Sequence, residues 1–81
     1  MKTYVTFGSD HRHEINGVIF DKDCVAVIEG EDAGANREKA FELFGPEFCF
    51  EYPEKYFNHD SMHYFPRGYI AVPEVVNHAE S

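Results

Sequence analysis

The 81-residue sequence predicts an α+β fold in which one amphipathic helix packs on a mostly antiparallel sheet of four or five strands. Three observations carry that expectation. The apolar run CVAVI at residues 24–28, between Asp23 and Glu29, reads as a strand covered on both faces and therefore central in its sheet. From Asp32 to Phe44 the hydrophobic spacing changes to that of a helix, with Ala33, Arg37, Ala40, Phe41 and Phe44 on one side and Leu43 flanking them. The remaining apolar stretches are short, rich in aromatic and β-branched residues, and separated by turn residues, as strands are.

Taken in order, residues 4–7 form a first strand that stops at Gly8 and buries Val5 and Phe7. Asn16-Gly17 stands between two short alternating stretches and predicts a two-residue hairpin turn, because Asn and Gly best tolerate positive φ. After the central strand, Asp32 is placed to cap the helix, and Gly45-Pro46 to end it. Phe48, Phe50 and Tyr52 alternate with Cys49 and Glu51 and predict a strand with an aromatic inner face. Residues 56–65 keep neither period, so a short helix and an irregular loop remain equal alternatives there. Phe65-Pro66-Arg67-Gly68 fits a type I turn leading into a last strand at residues 69–72. The domain is expected to span 1–72, with a frayed tail at 73–81. Phe and Tyr outnumber what one helix can cover, so an aromatic surface is expected on the uncovered sheet face or in residues 56–65.

A chain of this length supports one domain and a shallow cleft, which sets a low expectation of catalysis. Its formal charge of −8 repels phosphate backbones and anionic headgroups, so direct nucleic-acid or membrane-surface binding is disfavoured. The same field suits a partner with a basic patch. No apolar run approaches the roughly twenty residues of a membrane span, and no N-terminal signal pattern is expected from the opening residues. Cys24 and Cys49 each lie in an apolar run, which points to buried packing thiols in a reducing cytoplasm.

The succession YVTFG, DKDCVAVIEG, KAFELFGPEFCFEYPE and YFPRGYI, within residues 4–70, resembles short uncharacterised proteins encoded in bacteriophage and prophage genomes. The resemblance implies a small accessory protein, in a class where binding a host protein is commoner than chemistry. It carries no activity to transfer.

Some residue sets suit chemistry by type and spacing. His11 with His13 would share a strand face, and His59 with His63 a helix face, which lets one element give a metal two ligands; Asp10 and Asp60 stand beside them. Arg12 and Arg67 would form an anion pocket if their loops met. These sets define an alternative function, a metal- or nucleotide-binding module or small phosphoesterase. No serine lies on a nucleophile elbow, and the glycine spacing forms neither a dinucleotide fingerprint nor a phosphate loop. The leading expectation is a small acidic, non-enzymatic module without a cofactor. It would be a monomer or weak dimer that inhibits or modulates a host protein bearing a basic surface, with a nucleic-acid mimic as one version. Tyr52, Tyr56, Tyr64 and Tyr69 are the expected anchors and Glu47, Glu51 and Glu54 the steering carboxylates.

Overall fold

Residues 1–46, 48 and 50–73 are described by a computed structural model. Along them run β1 (Lys2–Thr6), β2 (His13–Ile15), β3 (Val18–Phe20), β4 (Cys24–Glu29), helix α1 (Ala33–Phe44) and β5 (Phe50–Pro53). Two 3-10 turns, Glu54–Tyr56 and His59–Tyr64, and then β6 (Gly68–Ala71) complete the order. The main sheet has the order β5-β1-β4-β6; β1 is antiparallel to β4 and β5, whereas β6 runs parallel to β4. The protein is thus α+β, with one helix on a mostly antiparallel sheet. Glu47, Cys49 and the tail from residue 74 onward lie outside the described residues, so the expectations placed on them are not addressed.

Interior position explains the composition of β1 and β4. Val5, Val25, Ala26 and Ile28 are fully buried, and in β1 the burial extends to Thr3, Tyr4 and Thr6, so both faces are covered rather than the Val5/Phe7 face alone. The hairpin forms where expected: Asn16 (φ 51°) and Gly17 (φ 81°) turn β2 into β3. It makes a separate two-stranded sheet rather than extending the main one. Phe20 from its second strand is fully buried against Val5, Cys24 and Phe44.

The Asp32 carboxylate accepts a hydrogen bond from the Ala35 N–H at 2.8 Å and caps α1 as expected. Gly45, at φ 64° and ψ −151°, ends it and donates its N–H to the Phe41 carbonyl at 2.8 Å. The buried stripe differs from the one predicted. Asn36, Ala40 and Phe44 face the sheet, while Phe41 is 44% exposed beside Phe48 and under the Arg37 guanidinium. The reason is a polar residue at a core position. The Asn36 amide donates to the Met1 carbonyl at 3.0 Å and to Thr3 Oγ1 at 3.1 Å, which rotates the helix away from a purely apolar stripe.

The chain from β5 to β6 closes the other sheet face. Phe57 stacks on Tyr4 with ring centroids 4.7 Å apart, and Met62 and Phe65 pack beside Val25, Val27 and Tyr52. The face expected to stay open is therefore largely roofed by two 3-10 turns, whose aromatics follow neither the helical nor the strand period. The turn into β6 closes with a hydrogen bond from the Gly68 N–H to the Phe65 carbonyl at 2.9 Å. Among the described residues no helix is long and apolar enough to cross a membrane.

Candidate functional site

Where the 3-10 roof meets edge strand β5, it leaves a cleft of about 420 Å³. Antiparallel pairing places Phe50 opposite Thr6 and Tyr52 opposite Tyr4, so both rings rise on the roofed face, 5.9 Å apart. Phe57 follows 5.5 Å beyond Tyr52 and is buried beneath the cleft. Tyr56 and Tyr64 contribute rings that are 67% and 70% exposed, and Phe50 is 57% exposed. Open aromatics gathered in one patch, unlike ones scattered singly, are the mark of an interaction surface, because burying such a ring removes roughly 150–250 Å² of surface from water.

The cleft also holds polar groups from Asn58 and Ser61. Asn58 Oδ1 accepts the Asp60 N–H at 2.9 Å, and the Ser61 hydroxyl donates to the Asn58 carbonyl at 2.8 Å. The first bond fixes the amide orientation, and among the described residues the Asn58 NH2 group has no acceptor. The Lys55 ammonium lies 5.3 Å from the centre of the Tyr56 ring, so that ring already receives a cation on its face.

Of the aromatics singled out in the sequence, the cleft gathers Tyr52, Tyr56 and Tyr64. Tyr69 lies elsewhere, in a smaller depression with Lys2, Tyr4, Val27 and His59, and is hydrogen-bonded to His59 Nδ1. Desolvation and then the neighbouring Tyr4 phenol push the Tyr69 hydroxyl above its ordinary pKa. Of the carboxylates named from the sequence, the described two, Glu51 and Glu54, do not ring the cleft. Glu51 alternates to the helix side of the sheet, 3.8 Å from Arg37 Nε, and Glu54 accepts the Lys2 backbone N–H at 2.8 Å. Phe50, Asn58 and Ser61 were not singled out in the sequence. Phe50 was legible from its two-residue spacing to Tyr52, whereas Asn58 and Ser61 read only as interruptions.

The histidine pairs are placed apart. His13 packs against Phe7 and Phe44 on the helix side, whereas His59 packs edge-on to Tyr4 and Phe57 on the roofed side. The 59/63 spacing shares a face only on an α-helix; at three residues per turn, positions four apart diverge by about 120°. His63 instead lies on Tyr64, with Nδ1 2.8 Å from the Asp60 carbonyl. Among the described residues no three His, Cys, Asp or Glu side chains gather to hold a metal.

Arg67 is occupied structurally. Its Nη1 donates to the Ile19 carbonyl at 2.8 Å and Asp21 Oδ1 at 3.2 Å, tying the hairpin to the turn before β6, while Arg12 is exposed on the loop after β1. Cys24 is fully buried, and desolvation raises its thiol pKa, which suits packing rather than nucleophilic work. No family model, curated protein or solved structure matches the chain.

Proposed function

We propose that the protein is a small acidic protein-binding module, an accessory of a phage-type genome that inhibits or modulates a host protein bearing a basic surface. The observation that carries this reading is the gathering of exposed Phe50, Tyr56 and Tyr64 around one cleft. Tyrosine is suited to such work, because it is an amphipathic anchor that tolerates water before binding and desolvation after it. The −8 charge supplies long-range attraction to a basic partner and makes association weaken with salt. An unreactive buried thiol at Cys24 suits action in the host cytoplasm.

The test is capture from a bacterial host lysate by the full chain, at low and high salt, compared with the double variant Tyr56→Ala/Tyr64→Ala. The expected result is a partner with a basic binding surface, retained at low salt, released at high salt, and lost with the variant. A nucleic-acid-handling partner would favour the mimic version of the reading. Retention of no protein, or equal retention by the variant, overturns it.

A further inference from the structure

We infer that β6 pairs with β6 of a second copy of this chain, antiparallel about a two-fold axis at Ile70, so that the two main sheets join into one. This goes beyond the reading of the cleft and does not depend on it, because the cleft lies at the opposite edge of the sheet, beside β5.

The backbone supplies the first observation. β4 lies on one side of β6, and among the described residues no strand lies on the other. The Val72 N–H donates to the Val27 carbonyl at 3.0 Å, and the polar groups of a strand alternate in direction. Ile70 therefore faces β4, whereas the N–H and C=O groups of Tyr69 and Ala71 point to the outer edge. Such a row is a template for another strand, which proteins usually blunt with proline, charge or a bulge. The β5 edge ends in Pro53, but residues 68–72, Gly-Tyr-Ile-Ala-Val, carry neither proline nor charge.

A second copy fits this edge in one register. With the axis at Ile70, Tyr69 faces the copy's Ala71 and Ala71 the copy's Tyr69, as pairs that exchange both of their N–H to C=O bonds. An axis at Tyr69 would set Ala71 against Arg67, whose N–H is committed to the Asp23 carbonyl. An axis at Ala71 would set Tyr69 against Pro73, which has no N–H. Side chains agree with the Ile70 register. On the roofed face each half-exposed Tyr69 ring lies beside a small, exposed Ala71 instead of a second ring. On the other face Ile70 and Val72, half-buried at the margin of the helix-side core, meet their own copies across the axis. Helix α1 packs over β1 and β4, so the two helices are kept apart by more than the about 14 Å between β4 and its copy, and do not clash. Charge also permits the contact. Residues 66–73 include Arg67 and no carboxylate, so the −8 of each chain is carried elsewhere. The dimer turns two four-stranded sheets into one of eight and leaves a cleft at each outer edge, which gives one particle two binding sites.

The experiment is sedimentation of the full chain from about 10 µM to about 1 mM, the range in which a short interface assembles. The expected result is a monomer–dimer equilibrium that tightens as salt screens the like net charges, the reverse of the salt dependence expected for a basic partner. Ala71→Pro removes an outward N–H that the pairing with β4 does not use, at an edge position where proline is tolerated. It should weaken the dimer at least about tenfold and leave the amide spectrum of β1, β4 and α1 unchanged, whereas Ala71→Ser, which keeps the N–H, should dimerise like the parent chain. A cross-link gives a second readout. Across the axis the two Ile70 Cα atoms would lie about 4.5 Å apart, within disulfide reach. In a Cys49→Ser background, Ile70→Cys should form a covalent dimer under mild oxidation, and Ala71→Cys, displaced from its own copy along the strand, should not. A chain that stays monomeric at about 1 mM in high salt, a dimer indifferent to Ala71→Pro, or equal cross-linking of the two cysteine variants overturns the inference. Slow exchange of the Tyr69 and Ala71 amides in a monomer also overturns it, because another segment of the same chain would then occupy the edge.

Discussion

Asn36 shows how one polar side chain can hold a helix to a sheet. Its amide donates to the Met1 carbonyl and Thr3 Oγ1 within a fully enclosed site, so helix, first strand and chain start are locked by groups that water cannot satisfy. Asn36→Ala should therefore cost about 1–3 kcal/mol, because it leaves the buried Thr3 hydroxyl without its donor, while the Met1 carbonyl keeps the Gly30 N–H. Urea unfolding checks this, and a loss below a few tenths would show that the site rehydrates. Gly30 is part of the same lock. A Cβ there would meet Asn36 Oδ1 at 2.2 Å, and the amide cannot swing away without losing its bonds, so Gly30→Ala should destabilise by a similar amount. Cys24 makes a prediction of a different kind. Burial raises its folded-state pKa above the reference value of 9.0, so the folded state holds the thiol proton more tightly than the unfolded chain. The stabilisation from this group is fully present below about pH 8.5–9 and is lost as pH rises through the folded pKa. Stability of a Cys49→Ser background should fall over that alkaline range, and the fall should shrink when Cys24 is also replaced by Ala, leaving the part that the raised pKa of Tyr69 contributes at higher pH. An undiminished fall would assign it wholly to other groups.

At the scale of elements, the residues that stop structure are as informative as those that build it. Gly45 ends α1 at φ 64° and ψ −151°, a region essentially closed to residues with a Cβ. Gly45→Ala should cost about 1–3 kcal/mol through backbone strain alone, since nothing lies within 4 Å of the added Cβ. A thermal melt that leaves Tm unchanged would mean the helix ends elsewhere in solution. The same local chemistry made the helix, its Asp32 cap, the Asn16-Gly17 hairpin and the central strand legible in the sequence, because each is fixed by neighbours within a few positions. What was not legible depends on distant partners. Nothing local marks Asn36 for the buried stripe, since its partners Met1 and Thr3 are more than thirty positions away. Residues 56–65 hid their role because 3-10 turns bury single residues, here Phe57 with Met62 and Phe65 beside it, at intervals that neither period describes. The sequence names four tyrosines as candidate anchors, but which of them share a cleft depends on that roof.

For the whole molecule, the sheet divides two apolar layers that are held in different ways. The helix side has Phe44, Phe20, Phe7 and Ile28 among its closed contacts, whereas the roofed side rests on Tyr4, Val25 and Phe57 with partly exposed neighbours. The roof is irregular, short on backbone ladders, and carries the cleft, so it should be the less stable of the two layers. Phe57 is its keystone: its ring stacks on Tyr4 at 4.7 Å and lies 5.5 Å from Tyr52 and 5.1 Å from His59. Removing such a ring typically costs about 3–5 kcal/mol, a large part of the roughly 5–15 kcal/mol that holds a small domain. Phe57→Ala should therefore loosen residues 54–65 first, with amide exchange there rising toward the unprotected rate while β1, β4 and α1 keep protection set by the lowered global stability. Partner binding should be lost with it, because the floor of the cleft goes. Tyr64→Ala, by contrast, should reduce binding with stability changed by less than about 0.5 kcal/mol, since that ring is 70% exposed. Comparable loss of stability in both variants, or uniform loss of protection across both layers in Phe57→Ala, would show that the roof and the helix-side core unfold as one unit and that the cleft cannot be remodelled separately from the fold.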